Sequence, residues 1–267
     1  MGAIIDYKEK QMLLPKIKSD FGKVSQREMA RKFRIGKTTV NRWCKESGLL
    51  YKKYTVNEKF FDRLNEDSAY TLGYIFTDGN VSWNPKKSYW ALTITASEKD
   101  KDHLEKIRKL ISNTKPLLYS KDTKSYRLNI SNKVLCKKLM RLGVVPKKSL
   151  IIKFPNLPKK HLRHFIRGIV DGDGSVRYVN RKRSPYFEIR IFSGSPKFLK
   201  NLTGQIRKKL KITSKVRKVH GNTYSVRYTC SKAKKIADWI YKDANLFLNR
   251  KFQRYKVMKK MEVLRPA

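Results

Sequence analysis

Two short segments place acids where acids are otherwise scarce. GIVDGDGSV, residues 168–176, sets Asp171 and Asp173 among glycines directly after an apolar run, and DSAYTLGYIFTDGNVS, residues 67–82, ends its own apolar run at Asp78-Gly79. In the first run Ala69, Leu72, Gly73 and Phe76 share one helical stripe. In the second, Leu162, Phe165, Ile166, Ile169 and Val170 do the same. The spacing predicts two buried helices, each ending at an aspartate. A carboxylate there faces the negative end of the helix dipole at a cost of about 0.3–1 kcal/mol, and two side by side repel further. Magnesium, an oxygen-seeking cation often held by one or two carboxylates and phosphate oxygens, would offset both penalties.

Bringing Asp78 and Asp173 together requires helices that approach closely. Gly73 and Thr77 are four apart, as are Gly168 and Gly172, so each helix carries a notch of small residues on one face. Gly79 and Gly174 follow the aspartates and are expected as left-handed C-terminal caps. A calcium loop at DGDGS is excluded, because Val176 stands where the loop needs glycine and Lys182 where it needs a bidentate acid. His161 and His164 have a metal-compatible spacing but lie at the far end of the second helix, where an exposed or packing role is expected.

The two segments head a repeat. WALTITASEKDKDHLEKIRKL parallels FEIRIFSGSPKFLKNLTGQIRKKL, an alternating strand feeding a helix in each case, and a further strand–helix stretch follows both. Asp78 and Asp173 are 95 positions apart, a period that suits a duplicated half-domain better than a solenoid. Each half reads helix, two strands, helix, two strands, helix. Leu92 and Ile94 point in while Thr93 and Thr95 point out, as in a half-buried antiparallel sheet. The outward set includes Arg127, Asn129 and Ser131 in the first half and Glu188, Arg190, Arg217 and Arg227 in the second.

TLGYIFTDG and IRGIVDGDG, with the strand pattern after each, resemble the two motif copies of a single-chain LAGLIDADG homing endonuclease over roughly residues 63–262. The resemblance implies an α+β fold: two pseudo-symmetric αββαββα halves forming a DNA-binding β-saddle. It implies that Asp78 and Asp173, with Gly79 and Gly174 beside them, bind the catalytic metals, magnesium or another divalent ion such as manganese. It also implies a rim role for Glu98, replaced by Gly194 in the second half, and for Lys148 and Lys251, at or before the terminal helix of each half. Asp171, matched by Phe76 in the first copy, is read as structural. The implied reaction is metal-assisted hydrolysis of both strands of a long double-stranded DNA target by a monomer. A non-cleaving regulator on the same fold and an RNA-binding intron maturase remain as alternatives.

Upstream, VSQREMARKFRIGKTTVNRWCKESGL opens with Ser25 and Glu28 as a capping box, then pairs Met29 with Phe33 and Val40 with Trp43 about a turn at Ile35-Gly36. The stretch resembles a helix-turn-helix, with Arg34 where the turn usually has glycine. Lys37, Thr38, Thr39, Asn41, Arg42 and Lys45 are expected on the groove-facing side of its second helix. GKTT at 36–39 is not a P-loop, whose first glycine would fall on Arg31. The expected division is an all-α helix-turn-helix domain at 1–50, a basic linker at 51–62, and halves at 63–157 and 158–267.

The whole chain agrees with this reading. Its 267 residues carry 64 Lys plus Arg against 21 Asp plus Glu, a formal net charge of +43, which implies a polyanionic partner. A hydrophobic share of 40% still provides for a core, which excludes a disordered basic tail. Cys44, Cys136 and Cys230 match no metal or redox spacing and suggest a reducing compartment. MGAIIDYKEK has the form of neither a signal peptide nor a myristoylation motif, and no membrane-length apolar run occurs, so an intracellular location in cytoplasm or nucleoid is expected.

Overall fold

A computed structural model of the chain describes residues 7–21, 23–24, 26–49, 54–179 and 186–263. Two separate units form, one up to Lys53 and one from Tyr54 onward.

The first unit contains three helices among its described residues: α1 (Tyr7–Asp20), α2 (Gln26–Lys32) and α3 (Lys37–Glu46). Ile17, Met29, Ile35, Val40, Trp43 and Cys44 form its core. The α2–α3 pair lies where Met29 and the Val40/Trp43 spacing put it, but α1 was not anticipated. Its signal was the run Leu13, Leu14 and Ile17, interrupted by Pro15. Arg34 adopts φ 53°, the left-handed backbone that glycine favours, which is why that residue type is usual in this turn. The Ser25 capping box lies outside the described residues.

The second unit repeats one sequence of elements. Its first half runs α4 (Glu66–Asp78), β1 (Gly79–Asn84), β2 (Tyr89–Ser97), α5 (Lys101–Ile111), β3 (Leu118–Ser120), β4 (Ser125–Ser131) and α6 (Lys133–Arg141). The second runs α7 (Leu162–Asp173), β5 (Gly174–Val179), β6 (Tyr186–Ser193), α8 (Pro196–Leu210), β7 (Val216–His220), β8 (Thr223–Thr229) and α9 (Cys230–Tyr241), followed by α10 (Asn249–Val263). The antiparallel sheets have matching orders, β1-β2-β4-β3 and β5-β6-β8-β7. Register matches as well: Gly79 faces Ile94 where Gly174 faces Ile191.

Helix α4 starts at a capping box in which Ser68 N donates to Asn65 Oδ1 and Asn65 N donates to Ser68 Oγ, each at 2.8 Å. From Ser68 to Phe76 every residue is buried, as is nearly all of α7. A helix buried all round belongs at the centre of a core, here between the two sheets' apolar faces. Residues 54–62, expected as linker, instead pack on the first half: Phe61 is buried, Val56 and Phe60 lie against the core, and Asn57 N donates to Ile111 O at 2.8 Å. Their apolar residues have no clean period, yet they still remove surface from water.

Candidate functional site

Helices α4 and α7 meet through the notches. A Cβ on Gly73 would land on the Phe165 carbonyl, and one on Gly168 would stand 2.7 Å from Tyr74 N, so only glycine permits this approach. At the lower end a Cβ on Gly172 would strike Thr77 and come within 3.0 Å of Asp78 Oδ2. The Asp78 carboxylate therefore lies against the residue preceding Asp173. Burial and then the negative charge of Asp173 push Asp78 up to about 6, against the pull of Lys251, a Tyr74 hydrogen bond and Lys148. Asp173 is also raised by burial, with both lysines opposing, although its outer side stays exposed to solvent.

Gly79 and Gly174 do not cap in the left-handed conformation. They have φ −94° and −95°, extended backbone open to any residue. Their glycine identity comes from crowding: a Cβ on Gly79 would stand 2.7 Å from Ile75 O, and one on Gly174 would strike Val170 O. With no left-handed turn to satisfy the last carbonyls, lysines do so. Lys148 Nζ donates to Thr77 O at 3.1 Å and Gly79 O at 2.6 Å. Lys251 Nζ donates to Val170 O at 2.8 Å, Asp171 O at 2.6 Å, Gly172 O at 3.2 Å and Gly174 O at 2.6 Å. Both lysines are buried, and burial lowers both, Lys251 to about 8. Each places its positive charge against the negative end of a helix dipole and near the paired aspartates.

The lysines ride on different supports. Lys251 sits in α10, as expected for a terminal helix, whereas Lys148 begins a single 3-10 turn, Lys148–Leu150. The first half has no counterpart of α10, because Pro155 and Pro158 follow within a few residues and disfavour helix there. Each support is held by the opposite half. Asp100, after β2, receives Arg250 Nε at 2.9 Å and Nη2 at 3.1 Å. Ser195 Oγ, after β6, donates to Ile152 O at 2.9 Å, and Gly194 lets Ser149 O approach. The Asp100–Arg250 pair escaped sequence reasoning, because its members are 150 positions apart and neither belongs to a motif.

Asp171 is structural, as expected. It is buried and accepts from Tyr70 OH at 2.8 Å, Tyr241 OH at 2.6 Å and Leu248 N at 2.8 Å, stapling α4 and α9 to the approach of α10. His164 is a packing residue, 3.3 Å from Glu66 and 3.2 Å from Arg167. Glu98 is exposed and accepts from Tyr119 OH at 3.1 Å, which ties it to β3, the edge of the sheet opposite β1 and Asp78. The expected rim role for Glu98 gains no support from this placement.

On the sheets, register places Asn129 opposite Thr93, Arg127 opposite Thr95, Arg190 opposite Arg227 and Arg217 opposite Ser225, all on the polar faces. Arg127, Arg217 and Arg227 are exposed, while Asn129 and Arg190 are half-buried. Glu188 shares the polar face but is buried rather than solvated, covered by Arg177 and Arg227. A cavity of about 530 Å³ opens on this face beside Tyr186, Arg190, Lys215, Arg217 and Arg227. In the first unit, Lys37, Thr38, Arg42 and Lys45 are exposed on α3, and Thr39 and Asn41 are half-buried, with Asn41 Oδ1 accepting from Gln26 Nε2 at 3.3 Å.

Residues 160–242, which run from α7 through α9 of the second half, match the family model of the LAGLIDADG-like domain. This chain is similar to a LAGLIDADG-like domain over those residues. Its fold is that of the LAGLIDADG meganucleases: the structure of meganuclease I-AabMI bound to uncleaved DNA aligns with a TM-score of 0.53 at 13% identity, covering 74% of this chain and 92% of that one. Meganuclease I-SmaMI bound to uncleaveable DNA aligns with the same score and identity over 76% and 93%. At that identity the likeness is one of fold. An uncharacterized protein of Methanocaldococcus jannaschii is 26% identical over 180 residues, which are 66% of this chain. The match spans 62% of that relative's length. Within the LAGLIDADG-like fold Asp78 and Asp173 end the two motif helices. Among the described residues no group of three or more His, Cys, Asp or Glu gathers as a closed metal cage. Two interacting carboxylates, Asp78 half-buried and Asp173 open to solvent on one side, suit a magnesium-like ion, whose other positions would be left to phosphate oxygens and water.

Proposed function

We propose that this chain is a site-specific endonuclease that hydrolyses both strands of double-stranded DNA. The observation that carries this reading is the pairing of Asp78 with Asp173 through glycine notches, at an electrostatic cost that binding alone does not require. The two carboxylates would hold magnesium or manganese. Such an ion, when bound, activates water and stabilises the departing oxygen of an in-line displacement. Asp78 and Asp173 would each serve one strand. Lys148 and Lys251, donating to helix-end carbonyls, would act on the carboxylates through their charge and hold them in position. Glu98 has no part in this proposal, because Tyr119 holds it on the β3 side.

The sheet arginines would bind the target, and α3 would extend the contact from the first unit, with Lys37, Thr38, Arg42 and Lys45 at the DNA. A net charge of +43 supports phosphate binding as the main source of affinity. The test is to select duplexes bound by the full chain from a random library, then add magnesium. A double-strand break within the selected sites is expected. Tight binding of a verified site without cleavage would replace the nuclease with a DNA-binding regulator.

A further inference from the structure

One acid in this chain is buried on a face that is otherwise cationic. Glu188 is 1% exposed, and its carboxylate lies between two guanidinium groups. Its Oε1 accepts from Arg177 Nε at 2.8 Å and Nη2 at 2.6 Å, while Oε2 accepts from Arg227 Nε. Arg227 Nη2 also donates to Tyr186 OH at 2.5 Å, and the guanidinium carbon stands 5.7 Å from the Tyr186 ring. Burial pushes the Glu188 carboxyl up, but the two arginines outweigh it and hold it below the usual range. Both arginine side chains nonetheless remain half exposed, at 50% and 49%.

A free arginine side chain loses rotamer freedom when it is fixed on a ligand. Here Glu188 and Tyr186 already hold the guanidinium groups, so part of that ordering precedes any ligand. Each arginine spends its Nε–H and one Nη2–H on the protein, which leaves the Nη1 donors and the second Nη2–H of a half-exposed side chain available to a ligand. Two parallel donors match the O6 and N7 acceptors that guanine presents in the major groove. The 530 Å³ cavity beside Arg227 gives a base edge room to approach.

The first sheet lacks this device. Its register sets Ser82 opposite Ala91 where the second sets Arg177 opposite Glu188, and Asn129 takes the place of Arg227. The difference falls on equivalent positions of the two halves, so it is not a consequence of the shared fold.

We propose that Arg177 and Arg227, held by Glu188, are specificity-determining residues that read two guanines in the half of the target bound by residues 158–267, and that the half bound by residues 63–157 lacks this requirement. The inference rests on the DNA-binding reading above. It is tested by selecting bound duplexes from a randomised library with the full chain and with Arg177→Lys, Arg227→Lys and Glu188→Gln, each checked for an unchanged melting profile. The wild-type chain is expected to enrich guanine at two positions on one side of the site. Each lysine variant should lose about tenfold of the preference at one of them and keep the rest. Glu188→Gln should weaken the preference at both while phosphate-driven affinity persists. Unchanged base preference in both lysine variants, or a loss spread evenly over all positions, would overturn the guanine assignment. Failure of selected sites to be cut would count against the nuclease alone.

Discussion

Asp171 and Asp173 are two residues apart and have opposite fates. Asp171 points into the core, where Tyr70, Tyr241 and Leu248 N saturate it, and Asp173 emerges at the helix end with solvent on one side. This separation was legible in the sequence, because Phe76 stands in for Asp171 in the first copy while Asp78 repeats Asp173. The role of Gly79 and Gly174 was not legible, since crowding and positive φ both select glycine. Asp78 carries a prediction at this scale. Its folded value of about 6 lies above its ordinary 3.8, so between those values the folded state retains a proton that the unfolded chain releases. Metal-free stability therefore falls as pH rises through that window, and the penalty is complete above about 6. Asp78→Asn should stabilise the chain in chelator at pH 8 by about 1–2 kcal/mol after solvent screening, and by little at pH 4. Thermal melts at the two pH values check this; a variant no more stable at pH 8 would contradict it.

At the scale of elements, the αββαββα repeat was readable because each alternating strand, such as Leu92/Thr93/Ile94/Thr95, feeds an amphipathic helix in both copies. What escaped lies between elements. Asp100–Arg250 and Ser195–Ile152 each tie one half's strand–helix junction to the other half's lysine support, and contacts that distant leave no local period. Helix α1 escaped because Pro15 interrupts its pattern. The α4–α7 seam was foreseen and can be tested against an internal control. Gly73→Ala forces a Cβ into the Phe165 backbone, which cannot yield cheaply, and should cost about 3 kcal/mol. Gly204→Ala, in α8 with nothing within 4 Å of the new atom, should gain about 0.5–1 kcal/mol from helix propensity and reduced unfolded-state freedom. Denaturant melts showing equal effects of the two substitutions would refute the close-packed seam.

At the scale of the molecule, composition pointed to a polyanionic partner, and exposed basic residues lie on the polar faces of both sheets and on α3 of the separate unit, among other surfaces. No helix among the described residues is long and apolar enough to cross a membrane. Charge on this scale would favour any nucleic acid, and under the proposed function only the aspartate pair separates cutting from binding. The most direct measurement is cleavage of a selected target, in magnesium, by the full chain and by Asp78→Asn and Asp173→Asn, with affinity measured in parallel. Both variants should bind within about threefold of wild type, because the many lysines and arginines of the chain supply most of the attraction for phosphate. Neither should make a double-strand break. A variant that still cuts both strands at the wild-type rate would contradict the assignment of Asp78 and Asp173 as the metal-holding pair.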